Sequence, residues 1–142
     1  MKIVDVNVLI YATDRGADRH RDSRAFLAAA LGGAEPLGFA WSVLLGFVRL
    51  STKAQLFERP LSVDQAVDVV ESWLSQPAAV VVSPTDKHLR VLRALLSPLG
   101  TAGNLTSDAH LAALAVEHGA TLVSWDHDFS RFAGVQWRTP AA

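Results

Sequence analysis

Thr-Ser-Asp-Ala-His-Leu-Ala-Ala-Leu-Ala-Val-Glu-His-Gly-Ala-Thr-Leu-Val-Ser-Trp-Asp, residues 106–126, carries two periodicities in succession. Thr106 can cap a helix, and Asp108, Leu111, Ala112 and Ala115 fall on one face of it before Gly119 stops it. Residues 120–124 are then short, apolar and rich in strand formers, which reads as a buried strand. A helix that hands over so quickly to a buried strand is half of a βαβ unit, and it ends on an acid, Asp126.

Working outward, the same alternation fills the chain. Lys2 to Val6 reads as a first strand. After the polar residues Thr13 to Asp18, Ser23, Phe26, Leu27, Ala30 and Leu31 share a helical face that Gly32-Gly33 terminates. Residues 37–40 predict a short strand, and Trp41 to Lys53, apolar nearly all round, predict a buried helix. Ser62 and Gln65 form a capping box for a helix bearing Val63, Val67, Val70 and Leu74, closed by Pro77. Residues 79–82 predict a strand. Thr85 can cap a further helix with the stripe Leu89, Leu92, Leu96 and Leu99, and residues 134–138 predict a last strand. Strands separated by helices imply an α/β fold, a mostly parallel central sheet flanked by helices. With no repeat, low-complexity tract or linker, residues 1–142 are expected to be one domain.

Composition narrows the chemistry. The chain has 142 residues, 50% apolar and 19% charged, as expected of a globular domain. The absence of cysteine excludes disulfides, thiolate metal sites and thiol nucleophiles. Asp5 interrupts the N-terminal apolar run, so no signal peptide is expected, and the apolar stretch 37–48 is too short to cross a bilayer. A cytoplasmic protein without membrane association is expected. The net charge of −1 means that RNA binding would rest on a site and not on bulk charge.

Ligands in parallel α/β sheets sit beyond the carboxyl ends of the strands. Asp5 lies near the end of the first strand, Asp126 follows the strand at 120–124 with Asp128 two residues on, and Asp108 sits in the first turn of the helix that feeds it. Each has a structural reading: a carboxylate in a helix's first turn complements the macrodipole, and Asp126-His-Asp can begin a turn. Asp5 is harder to explain so, because an anion in an apolar strand is costly unless paired or metal-bound. Arg49 is a distant candidate partner. Converging carboxylates without matched cations repel one another, and Mg²⁺ or Mn²⁺, hard ions that take oxygen ligands, relieve that repulsion.

Asp-Val-Asn-Val-Leu-Ile-Tyr-Ala at 5–12, Leu-Leu-Gly-Phe-Val-Arg-Leu-Ser-Thr at 44–52, the segment 107–120 and Leu-Val-Ser-Trp-Asp-His-Asp-Phe at 122–129 together resemble the PIN-domain ribonucleases of the VapC toxin type. The resemblance implies a Mg²⁺- or Mn²⁺-dependent endoribonuclease acting on structured RNA such as tRNA or ribosomal RNA. It also implies a homodimer, neutralised by a cognate VapB-type antitoxin. Asp5, Asp108 and Asp126 match the family's acids, with Asp128 auxiliary and Asn7 at its usual polar position. One departure stands out: many members carry a glutamate three residues before the arginine of the central helix, where this chain has Gly46 before Arg49.

The remaining residues add less. His20, His88, His110, His118 and His127 show no paired ligand spacing, and His127 reads as a surface residue. Of the tryptophans, Trp125 beside Asp126 is the one placed to stack on a base. Glu117, nine positions after Asp108, falls on the opposite helical face and is not counted as a ligand. Two other functions compete: a degenerate PIN fold that only binds a partner protein, favoured by Gly46, and a phosphatase of the haloacid-dehalogenase type. The phosphatase needs a second aspartate where Asn7 stands, which argues against it.

Overall fold

The computed structural model describes residues 1–57 and 59–141. Five strands form one sheet: β1 (Lys2–Val4), β2 (Leu37–Ala40), β3 (Ala79–Val82), β4 (Thr121–Val123) and β5 (Trp137–Arg138). Every pairing is parallel, and the spatial order is β3-β2-β1-β4-β5. The chain builds β1, β2 and β3 outward in one direction, then returns to the other side of β1 for β4 and β5. That reversal opens a crevice beyond the carboxyl ends of β1 and β4, where such sheets bind ligands. The expected α/β class and parallel sheet are thus found.

Among the described residues, six α-helices accompany the sheet: α1 (Val6–Thr13), α2 (His20–Leu31), α3 (Trp41–Ser51), α4 (Val63–Leu74), α5 (His88–Leu96) and α6 (Thr106–Glu117). None is long and apolar enough to cross a membrane among the described residues. Ile3, Val4, Phe39, Leu122 and Val123 are buried completely in the sheet, and α6 buries Ala109 and Leu111 to Ala115 beside it. Trp73 of α4 closes the other end of the core, stacked on Phe39 with ring centroids 6.3 Å apart and edge-on to Phe47 at 4.7 Å. Gly38 in β2 marks a tight passage. A Cβ there would come within 2.9 Å of Ile3 Cγ1 and 3.0 Å of Val82 Cγ1, so only glycine fits between those strands.

Several sequence expectations are corrected. The first strand ends at Val4, and residues 6–13 are a helix, because the Asp5 side chain accepts from Val6 N and caps it. The helix expected to be buried all round, α3, exposes Trp41 and Leu45. Its Val43, Leu44 and Phe47 stripe is buried in the core, with Val48 packed against it. In α4 the capping box is present as expected, but Val63 and Val67 are exposed. Trp73, the bulkiest side chain, sets the inward face, and Ala66 and Val70 line up with it. In α5, Leu89 is 72% exposed and Leu95 is buried instead. Neither expected threonine cap forms. The Thr85 hydroxyl donates to Glu117 at 2.6 Å and accepts from Lys87 N at 3.2 Å, ahead of the first helical residue, and the Thr106 hydroxyl donates to the carbonyl of Gly103 at 2.8 Å.

Candidate active site

Asp5 leaves the sheet at the end of β1, its amide donating to the Val123 carbonyl of β4 at 3.0 Å. Its carboxylate is buried yet supplied with donors. Oδ1 accepts from Val6 N at 2.7 Å, and Oδ2 accepts from the Ser124 hydroxyl at 2.7 Å and from Asn7 Nδ2 at 3.2 Å. Burial pushes the Asp5 carboxyl up, the Ser124 and Val6 hydrogen bonds oppose that, and the charge of Asp126 adds to it. The net direction is upward, so the ionised form is strained despite three donors.

Ser124 ties the two strand ends together. Besides donating to Asp5, its hydroxyl accepts from Asn7 Nδ2 and from Asp126 N, each at 3.0 Å. Asn7 Oδ1 accepts from Trp125 N at 3.1 Å. Asp126 is therefore fixed by its own backbone to the residue that holds Asp5. One of its oxygens accepts from Asp128 N at 2.9 Å, capping a 3-10 turn at His127–Arg131. The turn reading of Asp126-His-Asp is correct, and it positions the second carboxylate rather than replacing it. Trp125 is engaged within the fold. Its indole donates to Ser23 Oγ at 2.8 Å, and the Arg19 guanidinium lies 4.7 Å from the ring centroid.

Asp108, in the first turn of α6, is half-buried and shares a cleft of about 540 Å³ with Asp5. Ser42, Arg49, Ser107 and His110 are among the other residues at its wall. The Asp108 carboxyl is pushed up to about 6, by burial first and then by the charges of Asp126, Asp5 and Asp128. The other three carboxylates predicted from the sequence thus all act on Asp108 through space. Arg49, also on the cleft wall, is exposed and forms no ion pair with them among the described residues. Gly46 faces the same space, and a Cβ there would meet Val6 Cγ2 at 3.4 Å, an ordinary contact.

This donor set fits a hard divalent cation: it is made of carboxylate and hydroxyl oxygens, and its acids are short of positive charge. Among the described residues, however, no three histidine, aspartate or glutamate side chains converge enough to hold one ion as they stand. Oxygens of Asp5 and Asp126 accept from local N–H and O–H donors.

Three residues escaped the sequence reading. Glu117, at the far end of α6, points at α5 with its side chain fully buried. It accepts from Thr85 N at 2.9 Å and from the Thr85 hydroxyl, and it pairs with His88 Nδ1. Burial pushes the Glu117 carboxyl up, but the Thr85 and His88 hydrogen bonds together outweigh it and hold the carboxyl below its ordinary value. His88 Nε2 in turn meets His110 Nδ1 at 2.9 Å, and both rings line the Asp5–Asp108 cleft. The His110 imidazole is held below its ordinary value, by burial first and then by His88, against the pull of Glu117. The signal available beforehand was the seven-residue spacing of His110 and Glu117, two helical turns on one face. His88 comes from another helix and had no local signal.

Comparison with known proteins adds the following. The PIN domain family matches residues 2–135. The chain is 53% identical over 142 residues to Ribonuclease VapC37 of Mycobacterium tuberculosis, covering 100% of this chain and 99% of that one. Among solved structures, VapBC2 from Rickettsia felis, bound to a DNA fragment from its promoter, matches with a TM-score of 0.69 at 19% identity over 97% of each chain. VapC20 from M. tuberculosis, a sarcin–ricin loop cleaving toxin, matches with a TM-score of 0.64 at 18% identity, over 96% of this chain and 99% of that one. At such identities the two structures speak for the fold alone.

Proposed function

This chain belongs to the PIN-domain family and, within it, to the VapC ribonucleases, and on that premise we propose that it is the toxin of a type II toxin–antitoxin pair, an endoribonuclease that hydrolyses structured RNA such as tRNA or ribosomal RNA. The whole 142-residue chain acts as one catalytic domain, a homodimer in solution, held inactive by a VapB-type antitoxin. The observation that carries the reading is the cleft at the sheet's switch point, where Asp5 and Asp108 face one space and their charges, with those of Asp126 and Asp128, oppose one another.

Asp5, Asp108 and Asp126 would hold Mg²⁺ or Mn²⁺, with Asp128 auxiliary. When bound, such an ion lowers the pKa of a coordinated water and offsets charge on the leaving oxygen. The chain's own residues do the rest. Ser124, Asn7 and Val6 N hold the Asp5 carboxyl in place. Ser124 also fixes the backbone that presents Asp126. Arg49, on the cleft wall and in no ion pair among the described residues, is placed to take a phosphate oxygen of the strand.

Purified protein should cleave tRNA or ribosomal RNA fragments with Mg²⁺ or Mn²⁺ and stop in EDTA. Asp5→Ala and Asp108→Ala should lose most cleavage with the circular dichroism spectrum intact, Asp126→Ala nearly as much, and Asp128→Ala less. Undiminished cleavage by folded Asp5→Ala or Asp108→Ala rejects the mechanism. Gly46, which leaves the cleft without a further acid, favours a second reading, a PIN fold that only captures its partner. Wild type that cleaves no RNA at any metal concentration, yet forms a stable antitoxin complex, would establish that reading instead.

A further inference from the structure

A row of cations leads away from the acidic cleft along the packed pair α1 and α3. Arg49 lines the cleft itself. Lys53, four residues on and exposed, extends α3 by a last turn, its amide donating to the carbonyl of Leu50, another cleft residue, at 3.3 Å. Past it opens a second hollow of about 320 Å³, lined by Arg15 and Arg59 together with Thr13, Phe57 and Leu61. We propose that Arg49, Lys53, Arg59 and Arg15 form a phosphate-binding track that carries the single-stranded RNA flanking the scissile phosphate away from the cleft. The proposal rests on the ribonuclease reading above and assigns that substrate a path beyond the acids.

The two hollows are joined by the helices they share. α1 starts at Val6 on the cleft wall and ends eight residues later at Thr13 on the second hollow, about 12 Å away at 1.5 Å per residue. α3 runs beside it from Ser42 and Gly46 on the cleft to Ser51, whose carbonyl accepts from Leu61 N of the second hollow at 2.9 Å. The loop after α3 folds back onto that helix end: besides Leu61, the buried Phe57 donates from its amide to the Lys53 carbonyl at 3.4 Å. Arg59 therefore sits between two anchored residues. None of the four cations is in an ion pair among the described residues. Asp14 also lines the second hollow, and its Oδ1 accepts from Gly16 N at 3.1 Å. Two guanidinium groups against that one carboxylate leave the hollow positive. In a chain of net charge −1, such a local row of cations gives a polyanion what bulk charge does not. A row that begins at the acids and keeps one direction suits the repeating charge of a nucleic-acid backbone. Phe57, the aromatic residue on this wall, is buried, so the track positions the phosphates and does not read the bases.

The test reads binding of labelled tRNA and ribosomal RNA fragments against NaCl concentration in EDTA, where cleavage is stopped. Arg15→Ala/Arg59→Ala should weaken binding roughly tenfold at about 0.1 M NaCl, and should flatten the slope of log K against log salt by about 1.4, at about 0.7 per single-strand phosphate contact. Arg15→Lys/Arg59→Lys, which keeps both charges, should recover most of each effect. Arg90→Ala removes an exposed cation two residues from His88 and Leu92, on the opposite face of α5 from the cleft, and should change neither quantity. With Mg²⁺ or Mn²⁺ present, Arg15→Ala/Arg59→Ala should raise KM far more than it lowers kcat. Wild-type affinity and slope in the folded double alanine variant, or an equal loss in Arg90→Ala, overturns the track. So does a double variant that binds RNA normally and loses the antitoxin complex, which would give the second hollow to a protein partner. If wild type still cleaves in those cases, the ribonuclease reading survives and only the track falls. If wild type neither binds nor cleaves tRNA or ribosomal RNA fragments, both fall together.

Discussion

Asp108→Asn should stabilise the metal-free protein while abolishing its activity. The Asp108 carboxyl titrates at about 6 in the fold against 3.8 for the free group, because burial and then Asp126, Asp5 and Asp128 disfavour its charge. The folded chain therefore binds this proton more tightly than the unfolded chain. The associated stability is full below pH 4 and is lost as pH rises through 6. A difference of that size is equivalent to about 3 kcal/mol at about 1.4 kcal/mol per pH unit. Asp108 is only half-buried, and solvent screening reduces the figure to on the order of 1 kcal/mol. Asparagine keeps the shape and never ionises. In EDTA at pH 8 the variant should thus melt roughly 3 °C above wild type, with the gap closing towards pH 4. Mg²⁺ or Mn²⁺ should reverse the order, since an ion that binds only the native wild type raises its stability by mass action. The assay is thermal and urea unfolding of both proteins at several pH values, with and without metal. A variant no more stable than wild type at pH 8, or a gain independent of pH, would refute the claim that uncompensated carboxylates strain this cleft.

Further outcomes follow from individual contacts. Gly46→Glu should lower the metal concentration for half-maximal cleavage, because the Cβ fits at 3.4 Å from Val6 and the new carboxylate enters the Asp5–Asp108 cleft; an unchanged metal titration would show that the cleft does not lack an acid. Ser124→Ala removes the donor to Asp5 and the acceptor for Asp126 N, so cleavage should fall several-fold while stability changes by about 1 kcal/mol. Wild-type kinetics in that variant would mean that Ser124 does not position the acids. Gly38→Ala should cost about 1–3 kcal/mol in urea unfolding, since the added methyl meets Ile3 and Val82 at 2.9 and 3.0 Å.

Much of this architecture was legible before any coordinates. Residues 37–40 and 79–82 read as strands at the bounds observed, because short apolar runs flanked by turn residues have few alternatives. The Ser62–Gln65 box gave the start of α4 correctly, since a cap is a local hydrogen-bond pattern. Helix faces fared worse. Leu89, Val63 and Trp41 looked like core residues by spacing and are exposed, because periodicity reports that a stripe exists and not which neighbour covers it. The segment at 6–13 was missed as a helix because its β-branched valines favour a strand, and the Asp5 cap decided otherwise.

The sequence by itself determined the fold class, the family and the four aspartates, since each depends on residue identity and order along the chain. Tertiary structure alone decided how those acids are held. The Ser124–Asp5 hydrogen bond spans 119 positions, and the Asp108 carboxyl is raised by burial and then by charges that follow β1 and β4. It alone also brought His88 of α5 against His110 and Glu117 of α6. Hydrogen bonds and charge interactions depend on distance through space, and a chain that reverses across its own sheet makes neighbours of residues that no local pattern connects.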